Sequence, residues 1–168
     1  MKKFVFAFFV LFYMFNQGDL KAQEDMFKAL FMYNFTKDIE WPDKSGDFVI
    51  TVLGNSSIVN ELEKIAAKKK VGNQAMRVLK VNSPDQIGHS HIVYIVPSKS
   101  SQLDDVISAI GSKPVLLISD KPGLAKRGSG INYVKIDGKQ KFEINPSKIK
   151  SSGLKLNSFL TSLGIVVE

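Results

Sequence analysis

The chain has no cysteine. Disulfides, thiol catalysis, thiolate metal sites and lipid anchoring through an N-terminal cysteine are therefore all excluded. Histidine is nearly as scarce, with only His89 and His91, and Trp41 is the single tryptophan. No apolar run reaches the roughly 18 residues that a membrane-spanning helix needs; the longest covers residues 4–15. Catalytic signatures are missing as well. There is no Gly-x-Ser-x-Gly elbow, no phosphate-binding P-loop spacing and no Glu-x-x-His partner for the two histidines. The basic excess, +7 over 168 residues, is spread along the chain. Its densest cluster, Lys68-Lys69-Lys70, has no interleaved aromatic residues, so it offers no stacking platform for nucleic acid.

Residues 1–22 do carry a recognisable pattern. Lys2 and Lys3 precede the apolar stretch Phe4–Phe15, followed by a polar segment that ends at Ala22-Gln23. A charged start, a short apolar centre and a small residue at the cut make a secretory signal peptide. The expected products are a signal peptide, 1–22, and a single mature domain, 23–168. Loss of Lys2, Lys3, Lys21 and Asp19 would leave 20 basic against 15 acidic residues. A domain of that size buries a core without needing disulfides.

The mature region alternates helix and strand patterns. Apolar residues at helical spacing predict a helix from Met26 to Ile39, which Pro42 ends. Phe48–Leu53, Met76–Val81, His91–Val96 and Val115–Ser119 read as strands. Helices are expected after Ser56-Ser57 and over Leu103–Ile110. Asp137-Gly138 predicts a two-residue hairpin between Ile131–Ile136 and Lys141–Ile144. Short helices are expected over Ser147–Ser152 and Ser158–Leu163. The fold class is α/β: one domain, with a mostly parallel central sheet flanked by helices on both faces and an antiparallel hairpin at one edge.

Few residues suggest chemistry. His89 and His91 sit two apart at a strand entry, so they share a face and could donate to one metal. No third ligand completes the set. The stretch Lys121–Gly130 has three glycines with Lys126 and Arg127; it reads as a surface turn or as a ligand-binding sheet edge. Tyr33, Lys37 and Trp41 lie at the exit of the first helix. There the aromatics are either core or anchors for a partner. Glu143 alternates with Phe142 and Ile144 and is expected to meet solvent or a basic partner. No catalytic residue and no cofactor is assigned. The tentative partner-binding set is Tyr33, Lys37, Trp41, Lys126, Arg127 and Glu143.

Several segments together resemble the YfiR family of secreted proteins. The segment Ala29-Leu-Phe-Met-Tyr-Asn-Phe-Thr-Lys-Asp-Ile-Glu-Trp-Pro42 is similar to the family's N-terminal motif. His91-Ile-Val-Tyr-Ile95, Leu117-Ile-Ser-Asp120 through Gly130-Ile-Asn-Tyr-Val134, and Phe142-Glu-Ile-Asn145 with Gly153-Leu-Lys-Leu-Asn-Ser158 follow in the family's order. The resemblance implies a non-enzymatic periplasmic regulator. Its partner would be a membrane-embedded signalling protein, a diguanylate cyclase of the cyclic-di-GMP pathway or a sensor kinase, contacted through that protein's periplasmic domain; a homodimer stays open. Ser90 stands where relatives often carry cysteine, so a disulfide switch of the kind the resemblance implies has no residues here. The alternative reading is a periplasmic small-molecule or metal-binding protein using His89, His91 and the glycine loop.

Overall fold

The computed structural model describes the backbone of residues 2–168 and the side chains of residues 20–168. The expected signal peptide over residues 1–22 therefore lies, as far as residue 19, outside the described side chains. In chain order the elements are helix α1 (Lys2–Asp38), strands β1 (Ile39–Glu40) and β2 (Phe48–Leu53), and helix α2 (Ile58–Ala66). Strands β3 (Lys70–Val71), β4 (Gln74–Val81) and β5 (Ile92–Ile95) follow, then helix α3 (Leu103–Ile110), strand β6 (Leu116–Ser119) and the single turn α4 (Leu124–Arg127). The chain ends with β7 (Ile131–Ile136), β8 (Lys139–Ile144), α5 (Pro146–Ser151), β9 (Lys155–Leu156), α6 (Ser158–Leu163) and β10 (Ile165–Val166). Among the described residues no helix is long and apolar enough to cross a membrane.

Eight strands form one sheet in the order β10-β8-β7-β6-β5-β2-β4-β3. The central pairs β4–β2, β2–β5, β5–β6 and β6–β7 are parallel. The β7–β8 hairpin is antiparallel, as its Asp137-Gly138 turn predicts. Asp137 and Gly138 both take positive φ, 51° and 72°, which a type I′ turn requires. The hairpin is not the outermost element, because β10 adds a two-residue parallel strand outside β8.

Strand periodicity of two divides the core between the faces of the sheet. Ile50, Val52, Ile92, Tyr94 and Ile118 pack against Met32 and Phe35 of α1 and Ile58 and Leu62 of α2. Leu53, Val93, Ile95 and Leu117 face the other way, onto Leu103, Val106 and Ile110 of α3. Each such side chain contributes roughly 1.5–3 kcal/mol when fully buried. The two helical layers therefore clamp the central strands, and this fixes where their C-terminal ends emerge.

The connectivity has one reversal. From β2 the chain steps outward to β4, then returns across β2 to build β5, β6 and β7 on its other side. The loops leaving β2 and β5 diverge there. Such a switch point opens a crevice at the carboxyl ends of a parallel sheet.

Candidate functional site

The polar residues of the domain gather at the carboxyl ends of β2, β5 and β6, under the first described turns of α1. Lys28, on the sheet-facing side of α1, is only 4% exposed. Its ammonium donates to Glu24 and to Asp120 Oδ2, each at 2.6 Å. The Tyr94 hydroxyl donates to the same Asp120 oxygen at 2.7 Å. The Tyr133 hydroxyl donates to the Lys28 carbonyl at 2.8 Å, and Lys135 pairs with the other Glu24 oxygen at 2.5 Å. Burial works against the charge on Lys28, yet the two carboxylates outweigh it and hold its pKa above the ordinary lysine value. For Glu24, burial is likewise outweighed, by Lys135 and Lys28, and its pKa is lowered. Burial first, and then Asp120, raise the pKa of Tyr94 far out of the physiological range, so this tyrosine is a fixed donor and not a base.

Beside this chain of charges, Asp25 is buried and accepts a short hydrogen bond from the Ser57 hydroxyl just ahead of α2. A cavity of about 320 Å³ lies between α1 and the sheet edge, lined by Lys21, Asp25, Asn55, Tyr94, Ser98 and Asp120 among others. Gly54 precedes the lining residue Asn55 and packs against Val96, which also lines the cavity. The glycine closes β2 at φ 106°, and a Cβ there would run into Val96 and lie 2.9 Å from Lys99 Cγ. Only glycine takes both that conformation and that approach without strain.

A second polar network ties β6, β7 and β8 together. The buried Ser119 hydroxyl meets Ser129 and donates to Asn132 Oδ1, both at 2.7 Å. Asn132 Nδ2 then donates to Glu143 at 2.8 Å. Asn145 donates to the Ala125 carbonyl and caps α5 by accepting from Lys148 N. Glu143 is thus half-buried and held by Asn132, its direct cross-strand neighbour. It keeps part of its surface in solvent, as expected, while antiparallel pairing adds an internal donor.

The other sequence candidates separate. Trp41 is 4% exposed, donates through Nε1 to the His91 carbonyl at 2.9 Å, and meets Phe48 edge-on with ring centroids 4.9 Å apart. Of its two readings, the structure shows the core one, so Trp41 leaves the surface set. Tyr33 and Lys37 stay accessible, with the Lys37 ammonium 5.0 Å from the Tyr33 ring centroid. Lys126 and Arg127 are exposed on the α4 turn, and Arg127 pairs with Asp104 at 3.0 Å. Two glycines of that loop serve packing: a Cβ on Gly128 would lie 2.8 Å from Ile107 Cδ1, and one on Gly130 2.9 Å from Ile149 Cγ1.

The two histidines have unlike roles. His89 is exposed, whereas His91 is 2% exposed and stacked on Phe48. His91 Nδ1 accepts from the Val49 backbone N–H at 3.0 Å, so its proton sits on the buried Nε2, which has no partner among the described residues. Among the described residues no group of three or more histidine, aspartate or glutamate side chains is placed to hold a metal. Burial, then the neighbouring His89, lower the His91 pKa, with Asp43 opposing. The unfolded chain therefore binds more protons than the folded one between the ordinary histidine value, about 6.5, and the lowered one. Stability is full above that value and falls as pH drops below it, with a slope of at most about 1.4 kcal/mol per pH unit. Urea titrations at pH 7.5, 6 and 5 are expected to show this loss, and His91→Gln is expected to flatten it.

Sequence reasoning missed Lys28, Glu24 and Asp25, which it placed in or before an ordinary apolar helix. The available signal was the i, i+4 spacing of Glu24 and Lys28, and an aspartate ending a buried strand at Asp120.

Comparison with known proteins agrees with this architecture. No protein of curated function matches the chain. A solved structure, described as the ABC domain in complex with L-Trp from Streptococcus pneumonia, superposes with a TM-score of 0.51 at 14% identity. The superposition covers 71% of this chain and 55% of that one, so this chain spans about half the length of its neighbour, and the likeness is one of fold. A YfiR/HmsC-like family model matches residues 25–164, which takes in α1 from Asp25, the first polar network apart from Glu24, the second network and α6. The chain belongs to the YfiR/HmsC-like family.

Proposed function

We propose that this protein is exported to the periplasm, loses residues 1–22, and regulates an inner-membrane diguanylate cyclase or sensor kinase by direct contact with its periplasmic domain. Family membership supports the class of activity, and one structural observation supports the mode. Large apolar side chains lie exposed along α1 and on the C-terminal elements: Phe27 and Leu30, then Phe159 and Leu163 at 57% each, then Val166. These elements adjoin one another. Helix α6 contacts α1, Gly164 sits against Phe142, and Phe142 meets Phe31 at 5.8 Å between ring centroids. Apolar surface of this kind, rimmed by polar residues, marks an interaction site. Tyr33 and Lys37 continue the exposed stripe of α1 through Met26 and Leu30 at helical spacing. Lys126 offers a further exposed cation on α4, and Arg127 a partly engaged one.

The expected experiment uses the native host. Deleting the gene should raise cyclic-di-GMP or change the output of one sensor kinase. A cross-linker carried near Phe159 should then trap that same membrane protein. The double variant Phe159→Asp/Leu163→Asp should reduce trapping about tenfold or more, as loss of interface anchors does. It should change folding stability by no more than about 0.5 kcal/mol per exposed site. Unchanged signalling in the deletion strain, or undiminished trapping by the double variant, would overturn the proposal.

A further inference from the structure

At the end of the sheet remote from β10, strand β4 is covered along only part of its outer side. On its inner side β2 pairs with it from Met76 to Val81, whereas on the outer side β3 reaches only Gln74 and Ala75. From Arg77 to Lys80 no backbone group among the described residues, other than those of β2, bonds to the strand. An open strand edge is a row of unpaired N–H and C=O groups, a template for another strand. Arg77 and Lys80 are exposed along this edge, with Val78 and Leu79 partly exposed between them.

Shape and charge both suit this edge to a partner strand. A groove of about 500 Å³ lies on the sheet face beside it, lined by Val49, Arg77, Leu79 and His89, with Asp43 and Asp47 from the turn before β2. None of that lining comes from α1. Side chains of an added strand alternate between faces, so every second one would enter the groove. Lys68 and Lys69 lead into β3, which begins at Lys70, and together with Arg77 and Lys80 they make this corner cationic. All five are exposed, and none forms an ion pair among the described residues. Like charges set opposite one another destabilise a strand pair, and opposite charges stabilise it. An antiparallel second copy centred on Val78 and Leu79 would set Arg77 against Lys80, so the cations guard the edge against self-pairing. The same cations favour an acidic strand. Asp43 and Asp47 disfavour acid deeper in the groove, which leaves the positions beside Arg77 and Lys80 for it.

We infer that the outer edge of β4 accepts an extended acidic segment of a protein partner as an additional strand. Its backbone pairs with Arg77–Val81, two apolar residues lie beside Val78 and Leu79, and an acidic residue on either side of them meets Arg77 and Lys80. In strand addition the backbone bonds supply affinity, while pockets for alternate side chains select the sequence. This edge and the apolar surface around Phe159 and Leu163 lie at opposite ends of the sheet order. The test uses the purified protein alone, so its failure leaves the contact proposed through that surface standing.

The probe is a capped fluorescent peptide, Thr-Glu-Val-Val-Glu-Thr, titrated with the protein and followed by anisotropy. It is expected to bind with a Kd of about 1 mM or tighter, and to slow hydrogen exchange at amides of Arg77–Val81. The same peptide N-methylated at every residue keeps its side chains and charge but cannot pair, and is expected not to bind. A peptide with lysine in place of both glutamates should not bind either. The double variant Arg77→Glu/Lys80→Glu, at two exposed positions, should weaken binding of the acidic peptide about tenfold or more and admit the lysine peptide. The inference falls if the acidic peptide does not bind at about 1 mM. It also falls if the N-methylated peptide binds equally well, which would mean attraction by charge alone, or if the double variant binds the acidic peptide as tightly as the parent. Protection of Arg77–Val81 that rises with protein concentration in the absence of peptide would make a second copy the occupant and overturn it as well.

Discussion

Replacing Lys28 with methionine is expected to destabilise the fold by about 3–5 kcal/mol, the cost of removing one partner from a buried ion pair. The lysine is held by Glu24 and Asp120, and its carbonyl by Tyr133. Methionine fills much the same space, so packing is largely kept and the loss comes from charge. The variant leaves Asp120, whose side chain is 12% exposed, with the Tyr94 hydroxyl as its one side-chain donor among the described residues. It also leaves Glu24 dependent on Lys135. Removing both charges together should cost much less, because a buried pair replaced by neutral groups is often tolerated. Urea denaturation of Lys28→Met, Asp120→Asn and the double variant gives the coupling energy directly. A coupling near zero would mean that the ion pair does not hold α1 against the sheet. A large coupling would show that the first described turns of α1 are fastened electrostatically, beside the cavity they cover.

The sequence made the scaffold legible because its central strands are continuous β-branched runs and its helices carry apolar residues at 3.6 spacing. The Phe48–Leu53 and Ile92–Ile95 strands, α3, and the Asp137-Gly138 hairpin all stand where the patterns put them. What escaped was too short to have a period. β1, β3, β9 and β10 are two residues each, and a two-residue strand is defined by its neighbour and not by its own pattern. The same holds for the site. Lys28 reads as a solvated helix position until Asp120, 92 residues away, is brought beneath it. Glu143 shows no internal donor until the hairpin register sets Asn132 opposite. Phe159 and Leu163 were placed on a helix correctly, but only the fold shows that no other part of the described domain covers them.

Trp41 joins these two lessons, since its aromatic bulk fits a partner anchor as well as a core residue. Trp41→Ala is expected to cost about 3–5 kcal/mol, the usual loss for emptying a large aromatic from a core. Two further consequences follow from its contacts. The His91 carbonyl loses its donor, and Phe48, which carries the stacked His91 ring, loses its edge-on neighbour. Trp41→Phe should retain most of the packing and lose the indole N–H, costing roughly 1–3 kcal/mol for a buried carbonyl left unpaired. Both effects are read from thermal or urea unfolding. The discriminating measurement is partner trapping by the folded fraction at low temperature. A core tryptophan predicts unchanged trapping by Trp41→Phe, alongside the large loss expected from Phe159→Asp/Leu163→Asp. If Trp41→Phe instead lost the partner while keeping its stability, the contact surface would extend around the end of α1 to the groove beside Lys37 and Lys44, which the Trp41 edge also lines.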